Sequence, residues 1–228
     1  MSQTVAEIDQ DSITEMTASR RLFVLLSPLA VIGLGHLTAR LFSHFIGVWA
    51  WVPLMIEYWF VMALVIYLSG GSGQVISAYR RNSRWTWWLL GVVVGLIPLP
   101  VLLLNSHLLH DSRLVFLWLL EAAINPFIEE GYWRGLFGQV THRWPAFFAC
   151  LYPTIFFTAG HPLQFGVFSI GCRTWEMMTS LLIMGAVWSI IYRYTRSLRV
   201  AVFSHMLVDL GNMSVWVFLN LYIPPGMR

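Results

Sequence analysis

The sequence predicts an all-α fold, a polytopic membrane bundle of about seven to eight transmembrane helices. Three observations predict it. The 228 residues are 57% apolar and only 11% charged, whereas a soluble domain carries roughly 25% charged residues. The mean hydropathy is +0.67. The apolar residues also fall in runs near the ~20 needed to cross a bilayer. So little polar surface excludes an ordinary cytosolic enzyme and a disordered chain. The net charge of +3 is no nucleic-acid footprint: all 14 basic residues are Arg, scattered singly or in pairs, with no basic stripe. Cys150 and Cys172 are too few for a disulfide framework.

Residues 1–19 are polar and acidic (Glu7, Asp9, Asp11, Glu15) and lack an apolar h-region, so they read as a cytosolic tail and not a signal peptide. A single membrane domain, 20–228, follows. Its spans are expected at 22–37, about 47–68, 85–104, about 114–140, 144 to about 160, 174–194 and about 198–222. Gly211 is a natural break in the last, and 162–172 is apolar but interrupted by glycine, as in an interfacial or re-entrant segment. The arginines support this count. With the N-terminus inside, Arg20, Arg21, Arg80, Arg81, Arg84, Arg143, Arg193, Arg196 and Arg199 fall inside. Arg40, Arg113, Arg173 and Arg228 fall outside, and Arg134 lies within a span. That bias follows the positive-inside rule, and Trp85, Trp87, Trp88, Trp144 and Trp175 sit at span ends as an aromatic belt does.

Ionisable groups in hydrocarbon cost a few kcal/mol each and mark function by default. The fourth span holds Glu121, Glu129, Glu130 and Arg134; the fifth ends at His161; the seventh holds His205 and Asp209; the second holds Glu57. Glu130 and Arg134 are i, i+4 and can pair. Glu129, turned about 100° away, is the less neutralised acid and suits a general base. Pro126 can open the helix one turn earlier, and Gly131 with Gly135 lets another helix approach closely. His205 and Asp209 are also i, i+4, so Asp209 can orient the imidazole. Each pair alone reads equally as a structural ion pair or a self-satisfied polar pair, and a lone His161 at a helix end is more often structural. Their gathering on three spans of a small protein points to a site. Reckoned at ~1.5 Å per residue, Glu129 and Asp209 lie ~16 Å deep, His205 ~10 Å and His161 ~24 Å, too scattered for one site unless helix ends or tilts differ.

Glu129-Glu130-xxx-Arg134, Phe157-xxx-His161 and His205-xxx-Asp209, in that order on separate spans, resemble the signature of the CPBP family. This is the CAAX-protease and bacteriocin-processing (Abi) family, which includes the type II CAAX prenyl endopeptidases. The resemblance covers about residues 115–212. It implies a metal-independent, cofactor-free glutamic intramembrane endopeptidase. In it Glu129 is the general base and His161 its partner on the attacking water. His205 steadies the oxyanion and Asp209 orients it, with Glu130 and Arg134 in support. Asp209 departs from the family's usual Asn; ionised, it offers no donor to an oxyanion. The implied partner is a membrane-anchored or lipid-associated protein or peptide in the bilayer, and no nucleic acid. The short chain points to a bacterial inner membrane.

Two other readings compete. Glu129, His161 and His205 could form a zinc site with a bound water. A non-catalytic immunity or scaffold protein, or a proton-coupled transporter, would also carry buried charges. No paired broken helices in repeated halves favour a transporter.

Overall fold

The computed structural model describes residues 16–223; most of the expected tail, 1–15, and Arg228 lie outside the described residues. The chain enters α1 (Ala18–Ile46) at Thr17, whose hydroxyl accepts from the backbone N–H of Arg20. Gly47, at φ 58°, ends α1 in a conformation that glycine adopts without strain. A short 3-10 turn, Gly47–Ala50, leads into α2 (Trp51–Leu68), which packs back on α1. Next come α3 (Ser72–Arg80), α4 (Trp85–Gly95) and α5 (Leu99–Asn105). Asp111 caps α6 (Ser112–Glu130) by accepting from the N–H groups of Arg113 and Leu114. The helix continues through a π-helical turn, Gly131–Leu136, into α7 (Phe137–Val140). α8 (Ala146–Leu163), two 3-10 turns, and the Thr174-capped α9 (Trp175–Thr195) follow. α10 (Arg199–Gly211) and α11 (Ser214–Phe218) are parted by Met213 at φ 55°.

All regular structure among the described residues is helical. Each expected apolar segment is helical, but seven to eight crossings is not what length and composition give. Three stretches are long and apolar enough, Ala18–Leu68, Ala146–Val167 and Trp175–Thr195. A fourth appears if the pair Trp85–Gly95 and Leu99–Leu108, bent by 42°, is one span. The first of these holds both α1 and α2. The shortfall has physical causes. α6 carries Arg113, Glu121, Glu129 and Glu130, which lower its apolar character, and α10 is only 13 residues long before the chain breaks beyond Gly211. The segment 162–172 forms the two 3-10 turns, Phe165–Val167 and Gly171–Arg173.

α10 lies at the centre, against α4, α5, α6 and α9. Glycines let these helices close in: a Cβ on Gly95 would come within 2.9 Å of the Ser204 carbonyl oxygen, and one on Gly131 within 2.6 Å of the Tyr79 hydroxyl. α3 fills that second approach, so the Gly131–Gly135 step receives a short helix lying between two of the expected spans. Outward faces are apolar: Leu37, Phe45 and Leu104 are 65%, 71% and 78% exposed. Such a surface belongs in hydrocarbon, and the protein is a membrane protein.

The arginines assigned to one side gather at one end of the bundle. Arg21 donates to the Val140 carbonyl, Arg193 to that of Trp144, Arg196 to that of Gly138 and Arg199 to that of Tyr79. Ser197 closes the same end by donating to the Arg81 carbonyl at 2.7 Å.

Candidate active site

The site begins where α6 passes into its π turn. A π turn widens the helix locally and is frequent at functional sites. Here Glu129 and Glu130 stand on neighbouring faces, 2% and 0% exposed. Glu130 Oε1 accepts from Arg134 Nη1 at 3.0 Å and from His205 Nδ1 at 2.9 Å. The Arg134 guanidinium lies 4.6 Å from the Phe157 ring centre and 5.2 Å from that of Trp188, a desolvated cation–π setting. Nε and Nη2 of Arg134 and Oε2 of Glu130 are buried with no hydrogen-bond partner among the described residues.

α10 supplies the imidazole. His205 stacks on Trp188, ring centres 4.5 Å apart at 20°. The Trp188 indole N–H is itself tied to Ser204 Oγ at 2.9 Å. With Nδ1 held by Glu130, Nε2 faces inward, 3.5 Å from Glu129 Oε2 and 3.5 Å from Asp209 Oδ1. These distances are long for hydrogen bonds. The orienting bond to His205 therefore comes from Glu130 and not, as the i, i+4 spacing suggested, from Asp209. Asp209 is anchored elsewhere: Asn125 Nδ2 donates to its Oδ2 at 3.3 Å, and Trp118 Nε1 to its backbone carbonyl at 2.9 Å. Asn125 is fixed in turn by Trp59 Nε1 at 2.9 Å. Neither Asn125 nor these two tryptophans stood out in the sequence, because uncharged side chains at span positions read as ordinary helix packing.

α8 supplies His161. Its Nδ1 sits 2.9 Å from the Phe157 carbonyl one turn back, so Nδ1 carries the hydrogen and Nε2 keeps a free lone pair. Glu129, His161, His205 and Asp209 line one cavity of about 50 Å³, walled on other sides by residues such as Met184 and Phe165. A water needs about 10–15 Å³ of such space, so the cavity admits a few. The depth scatter reckoned from span ends disappears. α8 runs on to Leu163, and the π turn and the break after Gly211 shift the true helix ends. Glu121 lines the same cavity, its Oε2 accepting from Ser214 Oγ at 2.6 Å. Glu57 does not join it. Cys150 and Cys172 are free thiols away from this cavity. Among the described residues no group of three His, Cys, Asp or Glu side chains is arranged to hold a metal ion.

No curated protein and no solved structure matches the chain. The family model described as Type II CAAX prenyl endopeptidase Rce1-like matches residues 111–211. That stretch runs from the cap of α6 to the end of α10 and contains all six of Glu129, Glu130, Arg134, His161, His205 and Asp209. Through this region, which the three motifs already resembled, the chain is similar to the Rce1-like type II CAAX prenyl endopeptidases.

Proposed function

We propose that the cavity is the active site of a metal-independent intramembrane endopeptidase that cuts a membrane-anchored or lipid-associated protein or peptide. The observation that carries this reading is the convergence of Glu129, His161, His205 and Asp209, from three helices, on one buried space large enough for water. Glu129, 3.5 Å from His205 Nε2, is the general base and takes a proton from a water whose other hydrogen faces His161 Nε2. The resulting hydroxide attacks the scissile carbonyl carbon. His205, held at Nδ1 by Glu130, donates from Nε2 to the developing oxyanion. Glu129 then returns its proton to the leaving amine as the C–N bond breaks. The enclosing apolar wall lowers the local dielectric and strengthens each of these contacts. Asp209, anchored by Asn125 and Trp118, bounds the site beside Nε2 at 3.5 Å. Glu130 and Arg134 act through His205.

On the same reading α6 and the α10–α11 pair also cross the bilayer, and the arginine-rich end faces the cytoplasm of a bacterial inner membrane. The test is cleavage of a membrane-anchored reporter library by purified protein in lipid, wild type against Glu129→Ala, with and without a zinc chelator. The expected outcome is a rate lost by about 10²–10⁴-fold in the variant and unchanged by chelator. Loss to chelator would move the assignment to a zinc enzyme. Equal inertness of both proteins, with the cell's phenotype intact, would move it to a scaffold or immunity role.

A further inference from the structure

A second pocket opens on the arginine-rich end, behind the active site. Its water-accessible volume is about 20 Å³, smaller than the 50 Å³ of the active-site cavity, it is open to the outside, and its lining includes Arg134, Arg193, Arg196, Ser189, Thr141 and Tyr192. No acidic residue lines it among the described residues. Three features make it a built site. Arg134, one of the lining residues, is 2% exposed, and its Nε and Nη2 have no hydrogen-bond partner among the described residues. α9 runs a ladder towards the surface: Ser189 and Arg193 are i, i+4, as are Tyr192 and Arg196. The two outer arginines are steered inward by single bonds to main-chain carbonyls, Arg193 Nη2 to Trp144 at 3.1 Å and Arg196 Nη1 to Gly138 at 3.5 Å. Among the described residues no other hydrogen bond holds their remaining N–H groups.

We infer that this pocket binds a phosphate group. Guanidinium forks match phosphate oxygens with several parallel hydrogen bonds, and three around one space favour a multidentate anion over a lone carboxylate. The position fits as well. Basic pockets between helices, at the end where arginines collect, lie level with lipid phosphates. The phosphate therefore comes from an anionic lipid headgroup or from a free phosphate, and the same donors serve either.

Cys150 lines the pocket and is half-buried, whereas Cys172 is fully buried elsewhere. Alkylation of Cys150 by N-ethylmaleimide thus reports occupancy without reference to peptidase activity. The protein is assayed in phosphatidylcholine nanodiscs with and without phosphatidylglycerol, and in detergent with inorganic phosphate. A ligand at ten times its Kd slows alkylation on the order of ten-fold. The thermal midpoint of the same samples is the second readout. The variants are Arg193→Gln and Arg196→Gly. The latter relaxes a left-handed residue, φ 54°, to one that glycine favours, so it keeps the fold while removing a charge. Protection by phosphatidylglycerol alone, lost in both variants, supports the site with a lipid source. Protection by inorganic phosphate, lost in both variants, supports it with a free one. No protection and no rise in midpoint with either ligand overturns it, as does protection that both variants retain.

Discussion

At Glu130 a single carboxylate oxygen, Oε1, takes hydrogens from Arg134 at 3.0 Å and from His205 at 2.9 Å. The second oxygen is buried without a partner among the described residues. Both hydrogen bonds thus meet on the atom that fixes the imidazole, and the neighbouring Glu129 is left to face His205 Nε2. Glu130→Gln keeps the shape and removes the charge. It should lower kcat on the order of 10–100-fold, the usual worth of a partner that orients an active group, with KM little changed. A parallel fall of kcat and helical content would instead mean that Glu130 only holds the fold. Trp188 works from the other side of the ring. It is wholly buried, stacks on His205 and is itself pinned to Ser204. Trp188→Ala should cost about 3–5 kcal/mol of stability and lose activity through a free imidazole, measured as the denaturant midpoint beside the cleavage rate.

Within the bundle the close approach of α4 and α10 depends on Gly95. A methyl group there meets main-chain oxygen at 2.9 Å, which cannot swing aside as a flexible side chain would. Gly95→Ala should therefore destabilise by about 1–3 kcal/mol, read as a lower thermal midpoint, whereas Gly73→Ala, with open space around it, should be neutral. Helix positions were legible because runs of apolar residues need little context. Span ends near 68, 85, 174 and 194 fall within a residue or so of α2, α4 and α9. The Glu130–Arg134 pair was legible too, because i, i+4 contacts are local and survive even a π turn. What escaped was tertiary. That His205 leans on Glu130 depends on how α10 sits against α6. Asn125 matters only because Asp209 comes to it from 84 positions away. α3 and the π turn are too short for periodicity to reveal. Length and composition return fewer crossings than expected because the charges that mark the site are the ones that make α6 a poor span by composition.

Across the whole molecule, one end collects the arginines and the turn between α5 and α6 lies at the other. If the arginine-rich end faces the cytoplasm, Asn82→Cys, placed in a protein whose two native cysteines are replaced, should resist a membrane-impermeant maleimide in intact cells, while Ser106→Cys should react. The reverse pattern would invert the orientation. The exposed leucines and phenylalanines of the outer faces leave the bilayer as solvent, so packing and polar contacts hold the helices together with little hydrophobic drive. Against that background the size of the active-site cavity has a further meaning. About 50 Å³ receives water molecules but no stretch of polypeptide. On the proposed reading the described conformation is a resting one, and a substrate must wait for the helices to part. Its measured affinity is then the intrinsic affinity multiplied by the fraction of molecules open at that moment. Restraint of this kind lets a hydrolase live among membrane proteins and spare most of them.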